Sequence, residues 1–398
     1  MSGGTVDPFA PARLGGLVLR NHLARTAAFE GMSPGGAPGD ALVEHHRSMA
    51  RGGVGLTTVA YCSVSPEGRT YPTQLLMREE IVPGLRRLTD AVHAEGAAAA
   101  LQLGHCGDFA SPRAIGGRSL GPSRRFVTYA LSWSRRMTAE DIARVTGDFA
   151  RAALRAREAG FDAVELHFGH GYLLSQFLCP AINRRRDGFG GDLAGRMRFP
   201  LEVLRAVRAA VGPDFAVCCK LNTEDGFAGG LGIDEAVEFA GALEREGATA
   251  LVPSGGFVSR NPLYMLRGDV PVREMAAAQP GIAARVGLRF FGRLFVPHVR
   301  YSDLFFLEGA RRIREAVAIP VAYVGGVRTR AQIESLVTEG FTLVALGRPL
   351  IAEPDLVARM ARGETDRSAC EPCNLCLAEM DRGGVRCPRE DLTGRRCG

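Results

Sequence analysis

Residues 159–172 read Ala159-Gly160-Phe161-Asp162-Ala163-Val164-Glu165-Leu166-His167-Phe168-Gly169-His170-Gly171-Tyr172. A glycine ends a helical stretch, a short apolar run follows, and the run opens into a turn holding two histidines and a tyrosine. A run this short and nearly continuous, with no clean alternation, reads as a parallel strand covered on both faces. Upstream, Thr138–Ala159 reads as the preceding helix. Its opening, Thr138-Ala139-Glu140-Asp141, puts acidic groups at the positive helix end, and Gly160 closes it.

The same unit recurs in both directions along the chain. Strands are expected at Leu23–Phe29, Val54–Ala60, Ala98–Leu103, Ala163–His167, Ala216–Leu221, Ala250–Val252, Val321–Val324 and Leu343–Leu346. Helices are expected at Arg196–Val211, Asp234–Glu246, Arg328–Glu339 and Pro354–Arg362, with Gly212, Gly247, Gly340 and Gly363 as their C-terminal caps. Eight alternations predict an α/β fold of the closed (β/α)8 TIM-barrel kind. An open doubly wound sheet is the alternative, but no G-x-G-x-x-G turn follows an early strand. The barrel is expected over 1–368. Residues 255–300, after strand six, form a long insertion with Pro262, Pro271, Pro280 and Pro297, expected as an elaborated active-site loop with short helices. Residues 369–398 form a Cys-rich C-terminal segment.

Bulk properties exclude several classes. Of 398 residues, 46% are hydrophobic and 23% charged, as in soluble globular proteins. The net charge of +6 is dispersed in short groups such as Arg124-Arg125, Arg184-Arg185-Arg186 and Arg311-Arg312. No basic stripe alternates with aromatics, so nucleic acid is not expected as a partner. No apolar run reaches spanning length, and Met1–Pro11 lacks the charged-then-apolar order of a secretion signal. The reading is a cytoplasmic homo-oligomer acting on a small molecule, without a membrane partner. The ten cysteines do not form a secreted disulfide set: Cys62, Cys106, Cys179, Cys218 and Cys219 are scattered, and the other five crowd the C-terminus.

Barrel chemistry collects where strands end. Strand three ends Gln102-Leu103-Gly104-His105, strand five carries Lys220 and Asn222, strand seven ends Gly325-Gly326, and strand eight ends Gly347-Arg348. Glycines at the last two ends let backbone N–H groups approach a phosphate, and Arg348 can add a donor fork; bare tight turns are the plainer explanation. His167 and His170 can hydrogen-bond an oxygen, or bind a metal with Glu165 as third ligand, or be satisfied core residues. Lys220 follows five apolar or cysteine residues inside a strand. A buried lysine faces an anion or an electron-rich ring.

These residues also resemble a family. The run Ala159 to His167, then His170-Gly171-Tyr172-Leu173-Leu174-Ser175-Gln176-Phe177-Leu178, Asn183, Arg186-Asp187, Phe189-Gly190-Gly191 and Arg196, is similar to the signature of the Old Yellow Enzyme family. Leu19-Arg20-Asn21, Ser65-Pro66-Glu67-Gly68-Arg69, Gln102 to His105 and Gly121-Pro122-Ser123 extend the likeness over nearly the whole chain. The resemblance implies an FMN-dependent NAD(P)H oxidoreductase on a (β/α)8 barrel that reduces the C=C bond of an α,β-unsaturated carbonyl compound. An FMN enzyme that oxidises its substrate, such as an amine demethylase or desaturase, is the alternative within the class. The resemblance places Gln102 and Lys220 at the flavin's pyrimidine edge and Thr26, Ala28 and Tyr61 beside the flavin. It places Gly325, Gly326, Gly347 and Arg348 at the FMN phosphate, His167 and His170 at the substrate carbonyl, and Tyr172 as proton donor. Four positions depart from the pattern. A usually proline-led segment reads Thr26-Ala27-Ala28-Phe29-Glu30-Gly31, with Phe29 in place of a cysteine found in one branch; Asp108 replaces an arginine, and Thr342 an aspartate.

Cys370, Cys373 and Cys376, each two residues apart, are followed after ten residues by Cys387. Four thiolates at this spacing suit one zinc ion or an iron–sulfur cluster. The tail is similar to that of the 2,4-dienoyl-CoA reductase branch, which implies a [4Fe–4S] cluster; that branch spaces its second and third cysteines by three residues and carries further C-terminal domains. A metal-free remnant is the third reading.

Overall fold

The computed structural model describes residues 6–279 and 281–389. Eight strands follow one another around a single sheet: β1 (Leu23–Arg25), β2 (Leu56–Ser63), β3 (Ala98–Gly104), β4 (Ala163–Phe168), β5 (Ala216–Asn222), β6 (Ala250–Ser254), β7 (Ala322–Val324) and β8 (Leu343–Leu346). All neighbours are parallel, β8 pairs with β1, and a Leu251–Val321 bridge joins β6 to β7, which closes the (β/α)8 barrel. Helices between strands cover the outside. Ala139–Glu158 begins on the expected signal: Thr138 and Asp141 form a reciprocal capping box, and Gly160 follows at φ 86°.

The lower end of the lumen is small and apolar. Ala24, Ala100, Ala163, Ala216, Ala250 and Ala322 point inward and pack on Leu14 and Leu19 of an N-terminal hairpin, which plugs that end. The upper end is polar because of register. His167 lies beside Lys220, Glu165 beside Gln102, and Asn222 beside Ser254. Side chains two apart on a strand share a face, so Glu165 and His167 occupy successive layers of the lumen. A register shift between Val59 and Cys62 bends β2 at Tyr61.

Some boundaries differ from expectation. β1 stops at Arg25, not Phe29, because the Arg25 guanidinium turns back onto the carbonyls of Thr26 and Ala28 and holds the next residues as an extended loop over the barrel mouth. β2 starts at Leu56 and runs on to Ser63, where it gains a Leu76 bridge. The insertion holds two helices, Val272–Ala278 and Ile282–Phe295; Pro280 lies outside the described residues. The tail is strapped to the mouth. Buried Asn374 donates to the carbonyls of Arg267 and Asp269 at 3.0 and 2.9 Å, and the Val385 N–H donates to Glu30 O at 2.7 Å. Cys397 lies outside the described residues. Thr342 contributes a carbonyl to His22 Nδ1 at 2.8 Å.

Candidate active site

A cavity of roughly 280 Å³ opens at the strand ends. Every residue expected at the reaction centre or the cofactor lines it: His167, His170 and Tyr172; Thr26, Ala28 and Tyr61; Gln102 and Lys220; Gly325, Gly326, Gly347 and Arg348. Phe29, stacked on Tyr71 at 5.0 Å between centroids, forms part of the rim.

One layer down lies a buried polar set. Lys220 Nζ donates to Glu165 Oε1 at 2.8 Å and to Thr26 Oγ1 at 3.2 Å, and Gln102 Nε2 donates to the same carboxylate oxygen at 2.7 Å. Glu165 therefore anchors a cation and an amide. It is not a third ligand beside the histidines, and among the described residues no three His, Cys, Asp or Glu side chains are gathered for a metal ion. Arg25 pairs with Glu30 at 3.1 Å nearby; burial pushes the Glu30 carboxyl up to about 8 against the pull of Arg25. Asp108, at the arginine position of the resemblance, is fully buried against Arg125 at 2.5 Å.

The histidines are held neutral. Burial, then the neighbouring His170 and Lys220 charges, lower the His167 pKa well below its usual value. Burial, then Lys220, lower that of His170 to about 3. His167 Nδ1 accepts the Gly169 N–H at 3.4 Å, which leaves the proton on Nε2. His170 adopts φ 58°; its N–H donates to Asn222 Oδ1 at 2.9 Å, and its Nε2 lies 2.7 Å from Ser254 Oγ. Tyr172 stacks on His167 at 4.3 Å and meets Tyr61 and Phe109 edge-on. Burial raises its pKa far above the usual phenol value, so it stays protonated.

The turn after β7 is shaped by glycine. Gly326 has φ 72°, and a Cβ there would meet Leu304 N at 2.8 Å and Ser302 O at 2.9 Å. Arg348 lines the cavity, but its terminal nitrogens bond Arg267 O, Leu266 O and Asn374 Oδ1, so its fork faces the insertion and the tail. Sequence reasoning missed Arg328. It follows the Gly325-Gly326 turn, and its buried Nε has no hydrogen-bond partner although NH2 reaches Glu371 at 3.3 Å. A buried guanidinium N–H left unpaired beside a glycine-shaped recess fits an anionic group such as the FMN phosphate. Ser254 was also missed.

Cys370, Cys373, Cys376 and Cys387 line one small adjoining cavity with Arg348, and Cys370 and Cys376 also border the main one. Burial pushes their thiols up to about 12 at Cys370 and about 11 at Cys376, against the pull of Arg348. Zinc bonds of about 2.3 Å in a tetrahedron hold sulfurs roughly 3.8 Å apart. The four cysteines line one cavity, but among the described residues no three His, Cys, Asp or Glu side chains are gathered closely enough for a single ion.

Residues 7–254 match the model of the NADH:flavin oxidoreductase / NADH oxidase family. The chain is 42% identical to a 4,4'-dithiodibutanoate disulfide reductase of Rhodococcus erythropolis, over 97% of this chain and 96% of that one. It is 35% identical to a metal reductase of Desulforamulus reducens, over 94% of this chain but only 52% of the relative, so it spans about half of that protein. An Old Yellow Enzyme homologue from Zymomonas mobilis superposes with a TM-score of 0.74 at 20% identity, covering 99% of this chain and 100% of that one.

Proposed function

The chain belongs to the NADH:flavin oxidoreductase / NADH oxidase family, and on that premise we propose that it uses FMN and NAD(P)H to reduce the C=C bond of α,β-unsaturated carbonyl compounds. One observation carries the reading: two neutral histidines and a protonated tyrosine share a cavity with a buried Lys220–Glu165–Gln102 set. FMN, when bound, supplies two-electron chemistry, taking hydride from NAD(P)H and passing it to the substrate's β-carbon. The chain's residues do the rest. Lys220 and Gln102, fixed by Glu165, would hold the pyrimidine edge of the flavin, where a cation favours negative charge. Gly325, Gly326, Gly347 and Arg328 would hold the phosphate, while Thr26, Ala28 and Tyr61 would flank the ring; Arg348 borders this recess, but its fork is held by Leu266, Arg267 and Asn374. His167 donates from Nε2 to the carbonyl oxygen. His170, accepting from Ser254 at Nε2, donates from Nδ1. Both donors stabilise the charge that grows on that oxygen. Tyr172 gives its proton to the α-carbon.

A second reading rests on the disulfide reductase relative, which this chain matches over nearly its full length. In that case an organic disulfide occupies the cavity. Hydride adds to one sulfur, the S–S bond breaks, and the departing thiolate takes the Tyr172 proton. Following NADH and NADPH oxidation with 2-cyclohexen-1-one and with 4,4'-dithiodibutanoate, and identifying the products, separates the two. Saturated ketone supports the first reading; thiol product with an inert enone replaces it by the second.

For the tail, the proposal is a [4Fe–4S] cluster, since four cysteines line one small cavity, the number of thiolates such a cluster takes. Stoichiometric iron and sulfide in anaerobically purified protein is the expected result. Zinc in their place would refute it.

A further inference from the structure

The insertion after β6 carries a surface that the reaction does not use. From Met275 to Ser302 the chain holds Arg285, Arg289, Arg293 and Arg300 and no aspartate or glutamate. Ile282–Phe295 is one helix of 14 residues within it. Its Gly292 side faces the body of the protein: a Cβ there would meet Val272 Cγ1 at 2.8 Å, so the helix lies against Val272–Ala278 along that side. The other side holds large apolar groups open to solvent. Ile282 is 79% exposed and Phe290 72%, with Val286 and Phe291 more than half exposed. Ile282, Val286 and Phe290 stand four residues apart and make one stripe. Arg285, Arg289 and Arg293, also exposed, make a second stripe alongside. One apolar side chain in water is ordinary, but four on a single helix beside three arginines form a patch that marks an interaction site.

We propose that this helix docks the protein on an anionic phospholipid bilayer. It lies in the plane of the surface, with Ile282, Val286, Phe290 and Phe291 in the acyl boundary and the arginines at the phosphates. Large apolar groups beside a cationic stripe, without acidic residues, are the pattern of an interfacial helix, which sinks about 5–10 Å into that boundary. At 1.5 Å per residue the helix is about 21 Å long, short of the ~30 Å hydrocarbon core. Among the described residues no helix is long and apolar enough to cross a membrane. The lack of a spanning run, which set a membrane partner aside, does not bear on a helix lying in the surface. Charge decides the occupant. A second copy on a two-fold axis would set this face against itself, arginine stripe near arginine stripe, with no carboxylate on either helix to pair them. Like charges brought together oppose that contact. Lipid phosphates neutralise the arginines while acyl chains cover the apolar stripe. Arginine stems are long enough to lie along that stripe and keep their guanidinium groups at the phosphates.

The test sediments FMN holoenzyme with vesicles of equal parts phosphatidylglycerol and phosphatidylcholine, or of phosphatidylcholine alone, and reads the protein pelleted. Arg285 Nε donates to Gln279 O at 2.6 Å and so serves the fold; the variants are Arg289→Gln/Arg293→Gln and Ile282→Ser/Phe290→Ser. The parent should partition about tenfold more strongly to the anionic vesicles, and high salt should remove most of that difference. The glutamine pair should bind both vesicle types alike. The serine pair should lose about tenfold on the anionic ones. Both should keep the parent's far-UV spectrum and FMN content, and the glutamine pair decides the matter if the serine pair does not. No pelleting with anionic vesicles, or equal partition of the parent to both kinds, would overturn the proposal. So would a dimer in sedimentation equilibrium that the serine pair splits into monomers, since a second copy would then hold this face.

Discussion

Lys220 and Glu165 show how single residues divide the work at the barrel mouth. Both are buried, and their 2.8 Å contact, with Gln102 on the same carboxylate, offsets the loss of water around each charge. Lys220→Met leaves Glu165 uncompensated and should cost about 3–5 kcal/mol in denaturant unfolding. Lys220→Met combined with Glu165→Gln should recover much of that loss while FMN still binds more weakly. The neutral histidines and protonated Tyr172 give a pH prediction. His170 titrates near 3 and Tyr172 far above its usual range, so enone reduction should be flat between about pH 5 and pH 9 in single-turnover assays. The residues at strand ends were legible because a barrel concentrates chemistry there. Ser254 and Arg328 were not. Ser254 gains meaning only from His170, 84 positions away, and such a pairing leaves no local pattern.

Elements were readable where their ends are chemically marked. Thr138 and Asp141 cap a helix that begins where they imply, whereas the helix expected from Arg328 begins at Arg330, behind the Thr329–Gln332 cap; Gly160 and Gly340 follow helix ends at positive φ. Thr138→Ala should lower stability by about 1 kcal/mol through loss of the cap. Strand ends were less legible, since β1 is cut short by the Arg25 guanidinium and β2 is prolonged by a bridge, both tertiary effects. The β7 turn is the most sensitive element. Gly326→Ala combines a left-handed φ with contacts under 3.0 Å to backbone and should empty the protein of FMN, read as loss of flavin absorbance relative to protein.

Across the whole molecule, the loops above the barrel form one wall. The insertion, the tail and the first loop all meet at Arg348, Asn374 and Glu30, which places the four thiols against the main cavity. The same burial fixes the acid response. His105 is lowered to about 4 and His170 to about 3, while unfolded histidine titrates near 6.5. As pH falls below about 6.5 the unfolded state takes up protons first at these histidines, so their contribution is full above that pH and falls toward pH 3, outweighing the opposite contribution of Glu30, whose stabilisation is lost as pH rises through about 8. The melting temperature should drop steadily from pH 7 to pH 5. The central claim is that His167 and His170 serve the substrate and not the flavin. It is tested most directly by mixing anaerobically NADPH-reduced His167→Ala/His170→Ala enzyme with 2-cyclohexen-1-one and recording the oxidised flavin band. The account predicts that FMN stays bound and reduced, while the parent enzyme regains the band. Return of the band at the parent rate would contradict it.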